Sequence, residues 1–158
     1  MTRIPSLGPR GEGWVVIQVV LFVLVVAAGG AGPAVDGAAR VALAVGGAVL
    51  VAAGGLLAVR GLLDLDDALT PLPHPRAGAE LVESGSYVLV RHPIYGGIIL
   101  AATGWALLTA SPLALAGAAV LLAFFRLKSS REEAWLRAHY PGYEAYAART
   151  KRLIPWVY

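Results

Sequence analysis

The sequence contains no cysteine. This absence excludes a disulfide framework, Cys-ligated zinc, iron–sulfur clusters and thiol catalysis. Charge is also scarce, because Asp, Glu, Lys and Arg make up 15% of the 158 residues, against about 25% in a typical soluble domain. Hydrophobic residues make up 58%. So few charges do not cover the surface of a water-soluble globule of this size, which argues against soluble, disordered and fibrous chains.

The hydrophobic residues are concentrated in four runs. Residues 14–28 contain Gln18 as their only polar side chain, and residues 41–59 contain none. Residues 94–109 and 112–127 are shorter and are separated by a brief turn. A helix needs about 20 residues to span a bilayer. We therefore predict an all-α integral membrane protein with four transmembrane helices, of which the first is uncleaved and the last two form a tight hairpin.

The basic residues predict the orientation. Twelve of the 13 precede the first helix, lie between the second and third, or follow from the end of the fourth. Only Arg40 falls on the opposite side of the membrane. Since basic residues are enriched on the cytoplasmic side, we expect an inner-membrane protein with both termini and a helical tail in the cytoplasm.

Small residues inside the helices predict close helix packing. Ala44, Ala48 and Ala52 share one face of the second helix, and Gly97 and Ala101 form a small-xxx-small pair in the third. Such faces let two backbones approach closely in a bilayer. We interpret them as intramolecular contacts, with a dimer seam as the alternative.

The polar tail begins at Lys128. Ser129 or Ser130 is suited to cap a new helix, with Glu132 and Glu133 in its first turn. We expect that helix to end near residue 140, before a Pro-Gly pair, and a second short helix to span about 143–151.

The polar segment at residues 60–93 contains three aspartates, several prolines and the tripeptide Arg91–His92–Pro93. Taken alone, this tripeptide is an ordinary interfacial cluster at the start of a helix. The three histidines and the aspartates at 64, 66 and 67 match no metal-ligand spacing, so we predict no metal site.

The order of the polar motifs is more specific than any one of them. It reads Leu81–Val82–x–x–Gly85–x–Tyr87, Arg91–His92–Pro93–x–Tyr95–x–Gly97, a helical hairpin, Glu132–Glu133–x–x–Leu136, Tyr143–x–x–Tyr146 and Arg152–x–x–Pro155. This series resembles the isoprenylcysteine carboxyl methyltransferase family and its relatives, the phospholipid N-methyltransferases. The resemblance covers residues 70–155, whereas residues 1–69 match only in containing hydrophobic helices. We treat residues 1–158 as one membrane-embedded domain whose catalytic core is 70–158.

The resemblance implies S-adenosylmethionine as the cofactor and a set of residues that bind it. On this sequence they are Leu81, Val82, Tyr87, His92, Pro93, Tyr95, Glu132 and Glu133. Lys128 and Arg131 are the candidates for orienting an anionic substrate. No obligatory acid or base is assigned, because methyl transfer depends mainly on alignment. Eukaryotic members often carry a histidine where this chain has Ala79, so a side-chain contact there is lost.

Within the glutamate pair we predict that Glu132 contacts the cofactor. A carboxylate accepts hydrogen bonds from an ammonium or from ribose hydroxyls. Glu133 lies about 100° further round the helix, so its substitution should matter less if it faces solvent.

The predicted reaction is methyl transfer to a lipophilic acceptor at the cytoplasmic membrane face. An isoprenylcysteine-like carboxylate, a lipid amine and a thiol all remain open as acceptors, and no nucleic-acid partner is expected. One alternative is an NADPH-dependent membrane reductase of the sterol-reductase type, whose C-termini resemble residues 154–158 of this chain. The other is a non-catalytic, lipid-binding membrane protein.

Overall fold

The computed structural model describes residues 5–66, 78 and 80–155. They form α1 (Glu12–Ala28), α2 (Gly37–Leu65), α3 (Pro93–Leu108), α4 (Pro112–His139) and α5 (Tyr143–Arg149), with 3-10 turns at Gly29–Ala31 and Gly85–Val88. This part of the chain contains no strand, only an isolated bridge between Val90 and Lys151. The all-α prediction is confirmed. The proline-rich segment, His74, Ala79, the boundary at residue 70 and residues 156–158 lie outside the described residues.

Three helices are long and apolar enough to cross a membrane: Glu12–Ala31, Gly37–Leu65 and Pro112–His139. α3 is apolar but shorter. Large hydrophobic side chains on α1 and α2 are exposed, for example Val16 at 63% and Leu63 at 68%. Exposed apolar surface of this extent is suited to lipid contact, so the chain is an integral membrane protein.

The predicted hairpin is present. α3 ends at Leu108 and α4 begins at Pro112, with Ser111 as the N-cap. The Ser111 hydroxyl accepts a hydrogen bond from the Ala114 N–H and donates one to the Ala28 carbonyl at 2.7 Å. The turn is thereby also attached to the end of α1.

The prediction of a separate tail helix starting at Ser129 or Ser130 is wrong. α4 continues without a break through His139. Both serine hydroxyls donate to the Arg126 carbonyl, at 3.2 and 2.8 Å, so they bond back along the helix instead of capping a new one. No glycine or proline interrupts residues 118–139, and the hydrogen-bond ladder therefore runs on from the apolar part into the polar part.

The close approach of α2 to α3 uses glycines, and the predicted alanine face is not part of it. Ala48 and Ala52 are exposed, whereas Gly47, Gly54 and Gly61 are buried. These glycines recur every seven residues, which is close to two turns of helix. A Cβ added at Gly54 would lie 2.5 Å from the carbonyl oxygen of Gly97. The contact between these backbones leaves no room for a methyl group, which is why glycine occupies the face.

α1 packs against α4 on the other side of the bundle, so the packing order is α2, α3, α4 and α1. The rings of Trp14 and Phe124 lie 5.6 Å apart. The indole N–H of Trp105 on α3 donates to the Val26 carbonyl at 3.2 Å. These contacts hold α1 beside the hairpin.

The C-terminal tail folds back onto the segment before α3. The Arg91 N–H donates to the Lys151 carbonyl at 2.8 Å, and the His92 N–H donates to the Arg152 carbonyl at 3.0 Å. The Leu153 carbonyl sits against Gly96, where any side chain would collide with it. The tail therefore fixes the first residues of α3, which carry the candidate site.

Candidate functional site

Glu133 is the centre of a buried ionic cluster. One of its carboxylate oxygens accepts a hydrogen bond from Arg91 Nε at 2.9 Å and lies 3.3 Å from His92 Nε2. The other accepts from Arg152 at 2.9 Å and from Arg137 at 3.3 Å. The Glu133 side chain is 0% exposed, so the condition that it faces solvent is not met. Its partners join the segment before α3, α4 and the tail.

Glu132 has a different environment, although it is the next residue. It accepts a hydrogen bond from the Tyr95 hydroxyl at 2.8 Å, and it lies 3.7 Å from His92 Nδ1. Its side chain is 21% exposed. A carboxylate has about four acceptor positions, and these contacts use at most two of them. Among the described residues Glu132 therefore retains capacity for a ligand, whereas the Glu133 carboxylate is engaged on both oxygens.

An aromatic stack lies beside Glu132. The Tyr95 ring stacks with His92, at 5.4 Å and an interplanar angle of 4°, and with Phe125, at 4.7 Å and 20°. The Lys128 ammonium lies 4.8 Å from the centre of the Tyr95 ring. Lys128 is 2% exposed. The stack joins the start of α3 to the middle of α4 and offers ring faces that attract cations.

A second cluster contains three tyrosines. Tyr87, Tyr143 and Tyr146 are buried together, and the partly buried Leu81 and Val82 pack against them. The Tyr146 hydroxyl donates to the Tyr87 carbonyl at 2.8 Å. Burial raises the pKa of the Tyr143 and Tyr146 phenols, so both remain neutral near pH 7.

Tyr87 anchors the tyrosine cluster to α2. Burial raises the pKa of its phenol, and the negative charge of Glu132 raises this pKa further. The Tyr87 hydroxyl donates to the Gly61 carbonyl at 3.3 Å, and the Ser86 N–H donates to the Asp64 carboxylate at 2.6 Å. The end of α2 thus holds the segment that carries Tyr87.

Two of the predicted residues have other surroundings. Pro93 is fully buried at the first position of α3 and packs against Gly61 of α2. The Arg131 guanidinium lies over the Trp135 ring at 4.3 Å, and its Nε has no hydrogen-bond partner within the described residues. Lys128, by contrast, lies in the aromatic stack.

The structure therefore brings most of the predicted site residues together at one place. His92, Tyr95, Glu132, Glu133 and Lys128 form one connected set. Arg137 donates to Glu133 and lies 5.5 Å from the Tyr143 ring centre, so it joins this set to the cluster that contains Tyr87, Leu81 and Val82. Their roles toward a ligand remain predictions. The sequence reasoning missed Gln18, which accepts a hydrogen bond from Lys128, as well as Asp64 and Phe125. The signal for Gln18 was its isolation in an apolar run.

The acidic and histidine residues do not assemble into a metal centre in the described part of the chain. No group of three or more such side chains there is arranged to hold an ion. Asp64 is used as a hydrogen-bond acceptor for the Ser86 N–H instead.

The fold and the polar cluster together define a structural class of protein. They describe a small helical membrane protein whose polar cluster is built where the start of α3, the polar half of α4 and the tail meet. The family model for phospholipid methyltransferase matches residues 42–142, well over half of the chain. The chain therefore belongs to the phospholipid methyltransferase family, which implies a membrane methyltransferase.

The matched region runs from α2 to the residue before α5, so α1 lies outside it. It includes most of α2, although the motif resemblance relates residues 1–69 to the family by their hydrophobic helices alone. No curated protein and no solved structure matches the chain.

Proposed function

We propose that the protein transfers the methyl group of S-adenosylmethionine to a lipophilic acceptor at the cytoplasmic face of the inner membrane. The observation that carries this proposal is the contrast within the glutamate pair. Glu132 is partly exposed with acceptor positions free, beside the stacked rings of His92 and Tyr95. Family membership supports methyl transfer, and this donor set supports the particular cofactor.

The residues present fit the chemistry of S-adenosylmethionine. The molecule carries an ammonium and ribose hydroxyls, which need acceptors such as the free positions of Glu132. It also carries a sulfonium, which is attracted to aromatic faces such as that of Tyr95. Leu81, Val82 and Tyr87 offer apolar and aromatic contacts in the adjoining tyrosine cluster.

S-Adenosylmethionine, when bound, supplies an electrophilic methyl carbon, which takes an electron pair from the acceptor while the carbon–sulfur pair stays on sulfur. The chain has to align the two reactants and exclude competing nucleophiles. Glu132 binds the cofactor. Lys128, one turn of α4 nearer the membrane, orients the acceptor. A carboxylate acceptor gives an ester without releasing a proton, whereas an amine acceptor gives an ammonium that loses one. Arg131 is the second candidate for acceptor contact.

Glu133 serves this site by positioning the segment before α3. It fixes Arg91 and His92 against the tail through its two carboxylate oxygens. We assign it to the architecture of the site, although the family resemblance implies a direct cofactor contact.

The test is calorimetric binding of S-adenosylhomocysteine in one detergent to the wild type, Glu132→Gln and Glu144→Gln. Glutamine keeps an acceptor for Tyr95 but loses the charge, so Glu132→Gln should weaken binding about tenfold to hundredfold. Glu144 is the matched control, because its side chain is 71% exposed and pairs with Arg137 on the surface. It should leave the affinity unchanged.

Equal affinity of the wild type and Glu132→Gln, with unchanged circular dichroism, removes Glu132 from the site. Thermal stabilisation by NADPH and not by S-adenosylhomocysteine would favour the reductase alternative. Radiolabelled methyl transfer into a total lipid extract then identifies the acceptor class.

Reporter fusions at Gly32 and Pro75 test the topology, and a periplasmic signal at Pro75 contradicts the proposed orientation.

A further inference from the structure

Gln18 is an unusual residue for its position. It is the only polar side chain among the membrane-spanning residues 14–28 of α1. A polar group in a bilayer is unfavourable unless it finds a hydrogen-bond partner, so an intramembrane polar residue indicates a specific role. α1 lies outside the matched family region, so the family resemblance assigns this residue nothing.

The partner of Gln18 is the ammonium of Lys128, which donates to its side-chain oxygen. Lys128 lies 110 residues further along the chain and is 2% exposed. A lysine has a flexible four-carbon stem and three donors on a compact charge. In a buried setting the amide oxygen both compensates the charge and selects one position for the ammonium.

That position is over the Tyr95 ring. The Lys128 ammonium lies 4.8 Å from the ring centre, and the Tyr95 hydroxyl donates to Glu132 at 2.8 Å. A continuous series of contacts thus runs from Gln18 through Lys128 and Tyr95 to Glu132. Attachment of α1 to α4 does not by itself require the Gln18–Lys128 hydrogen bond, because Trp14 and Phe124 already join the two helices.

We propose that Gln18 is a positioning residue of the methyl-transfer site, which holds the Lys128 ammonium in place for the acceptor head group. α1 therefore contributes to a site whose other residues lie on α3, on α4 and on the segment before α3. This inference rests on the proposed function. It places the effect of Gln18 on the acceptor side of the site, away from the cofactor contact of Glu132.

The experiment compares the wild type, Gln18→Leu, Lys128→Met and the double variant in mixed micelles. The acceptors tested are a farnesylated cysteine with a free carboxylate, phosphatidylethanolamine and, if neither is methylated, a total lipid extract. Thr103→Val is the matched control. It also removes a polar group from an apolar helix, but the Thr103 hydroxyl donates to the Ile99 carbonyl of its own helix. Thermal unfolding and S-adenosylhomocysteine affinity are measured on every variant.

We expect Gln18→Leu to raise the apparent KM for the acceptor about tenfold, with kcat and S-adenosylhomocysteine affinity changed less than about threefold. In the Lys128→Met background the same change should have no further effect, because the ammonium that Gln18 holds is absent. Gln18→Glu keeps an acceptor oxygen and should restore the KM. Should Gln18→Leu fail to fold, Gln18→Asn, which withdraws the oxygen by one methylene, replaces it.

An unchanged KM in Gln18→Leu overturns the proposal. So does an equal rise in KM in the Lys128→Met background, or an effect limited to thermal unfolding like that of Thr103→Val. Failure of the proposed function gives a different result, because the wild type then neither binds S-adenosylhomocysteine nor transfers methyl groups. In that case Gln18 and Lys128 are a structural pair, which the same double-mutant cycle on unfolding detects.

Discussion

The membrane-spanning part of the molecule and its polar end are held together by different kinds of contact. Within the membrane, α2 and α3 pack backbone to backbone through Gly47, Gly54, Gly97 and Gly104. At the polar end, the tail and α4 meet the segment before α3 around the buried carboxylate of Glu133. The first contact has no charge and the second is built from charge.

The physical reason for the difference is the surrounding medium. Between helices in lipid there is little hydrophobic driving force, so association depends on close van der Waals contact, which glycine permits. At the polar end the elements are short, and the apolar contact between them is the small cluster of Tyr87, Tyr143 and Tyr146. A buried carboxylate with several cationic partners instead specifies one arrangement, at a desolvation cost that its hydrogen bonds must offset.

The two contacts therefore differ in how they fail. The glycine contact is sensitive to added volume and indifferent to charge. The Glu133 cluster is sensitive to loss of charge at constant volume. Each has a matched control nearby in the sequence.

The largest effect is expected for Glu133→Gln. The side chain keeps its shape, but Arg91, His92, Arg137 and Arg152 lose the charge they share. Breaking a buried ion pair by removing one partner costs about 3–5 kcal/mol. We expect loss of tail docking, measured by limited proteolysis and thermal unfolding in detergent.

The control for this change is Glu144→Gln, which removes a charge from the exposed partner of Arg137. Exposed ion pairs contribute about 0–1 kcal/mol, so its unfolding should be almost unchanged. Equal unfolding of the two variants would mean that the cluster does not hold the tail.

The next effect is expected for Gly54→Ala. The added methyl would lie 2.5 Å from the Gly97 carbonyl oxygen and 2.6 Å from the Ala101 nitrogen, so the helices must separate. Overpacking of this kind costs about 1–3 kcal/mol. The measurement is thermal unfolding in the same detergent.

Gly55→Ala is the adjacent control, since an added Cβ at Gly55 meets no atom of the described residues within 4 Å. Alanine favours a helix over glycine by up to about 1 kcal/mol, so this variant should be neutral or more stable. A destabilised Gly55→Ala would show that the methyl group harms α2 for a reason other than contact with α3.

Much of the fold follows from local patterns in the sequence. The lengths of the apolar runs predicted α1, α2 and the hairpin. These inferences succeed because hydrophobic length and breaking residues act within one element.

The rest depends on local continuity of a helix in one case and on distant partners in the others. Ser129 has the chemistry of a cap, but its hydroxyl bonds back to Arg126 because α4 continues past it. Ala48 looked like a packing residue, whereas the backbone of α3 selects the glycine face of α2. Glu132 and Glu133 are neighbours in sequence, and only the docked tail decides which of them is enclosed.

The smallest effect on unfolding is expected within the polar end, where two buried tyrosines differ in one hydrogen bond. Tyr143 and Tyr146 are both buried, at 1% and 2% exposure. The Tyr146 hydroxyl donates to the Tyr87 carbonyl at 2.8 Å, whereas the Tyr143 hydroxyl has no hydrogen-bond partner within the described residues. Tyr146→Phe should therefore cost about 0.5–1.5 kcal/mol of unfolding free energy, and Tyr143→Phe should cost nothing or stabilise the fold.

If Tyr143→Phe instead weakens S-adenosylhomocysteine binding while thermal unfolding stays the same, the unpaired hydroxyl belongs to the ligand site, and the tyrosine cluster then has a binding role beyond docking the tail. A loss of stability equal to that of Tyr146→Phe would contradict the assignment of Tyr143 as the unpaired member.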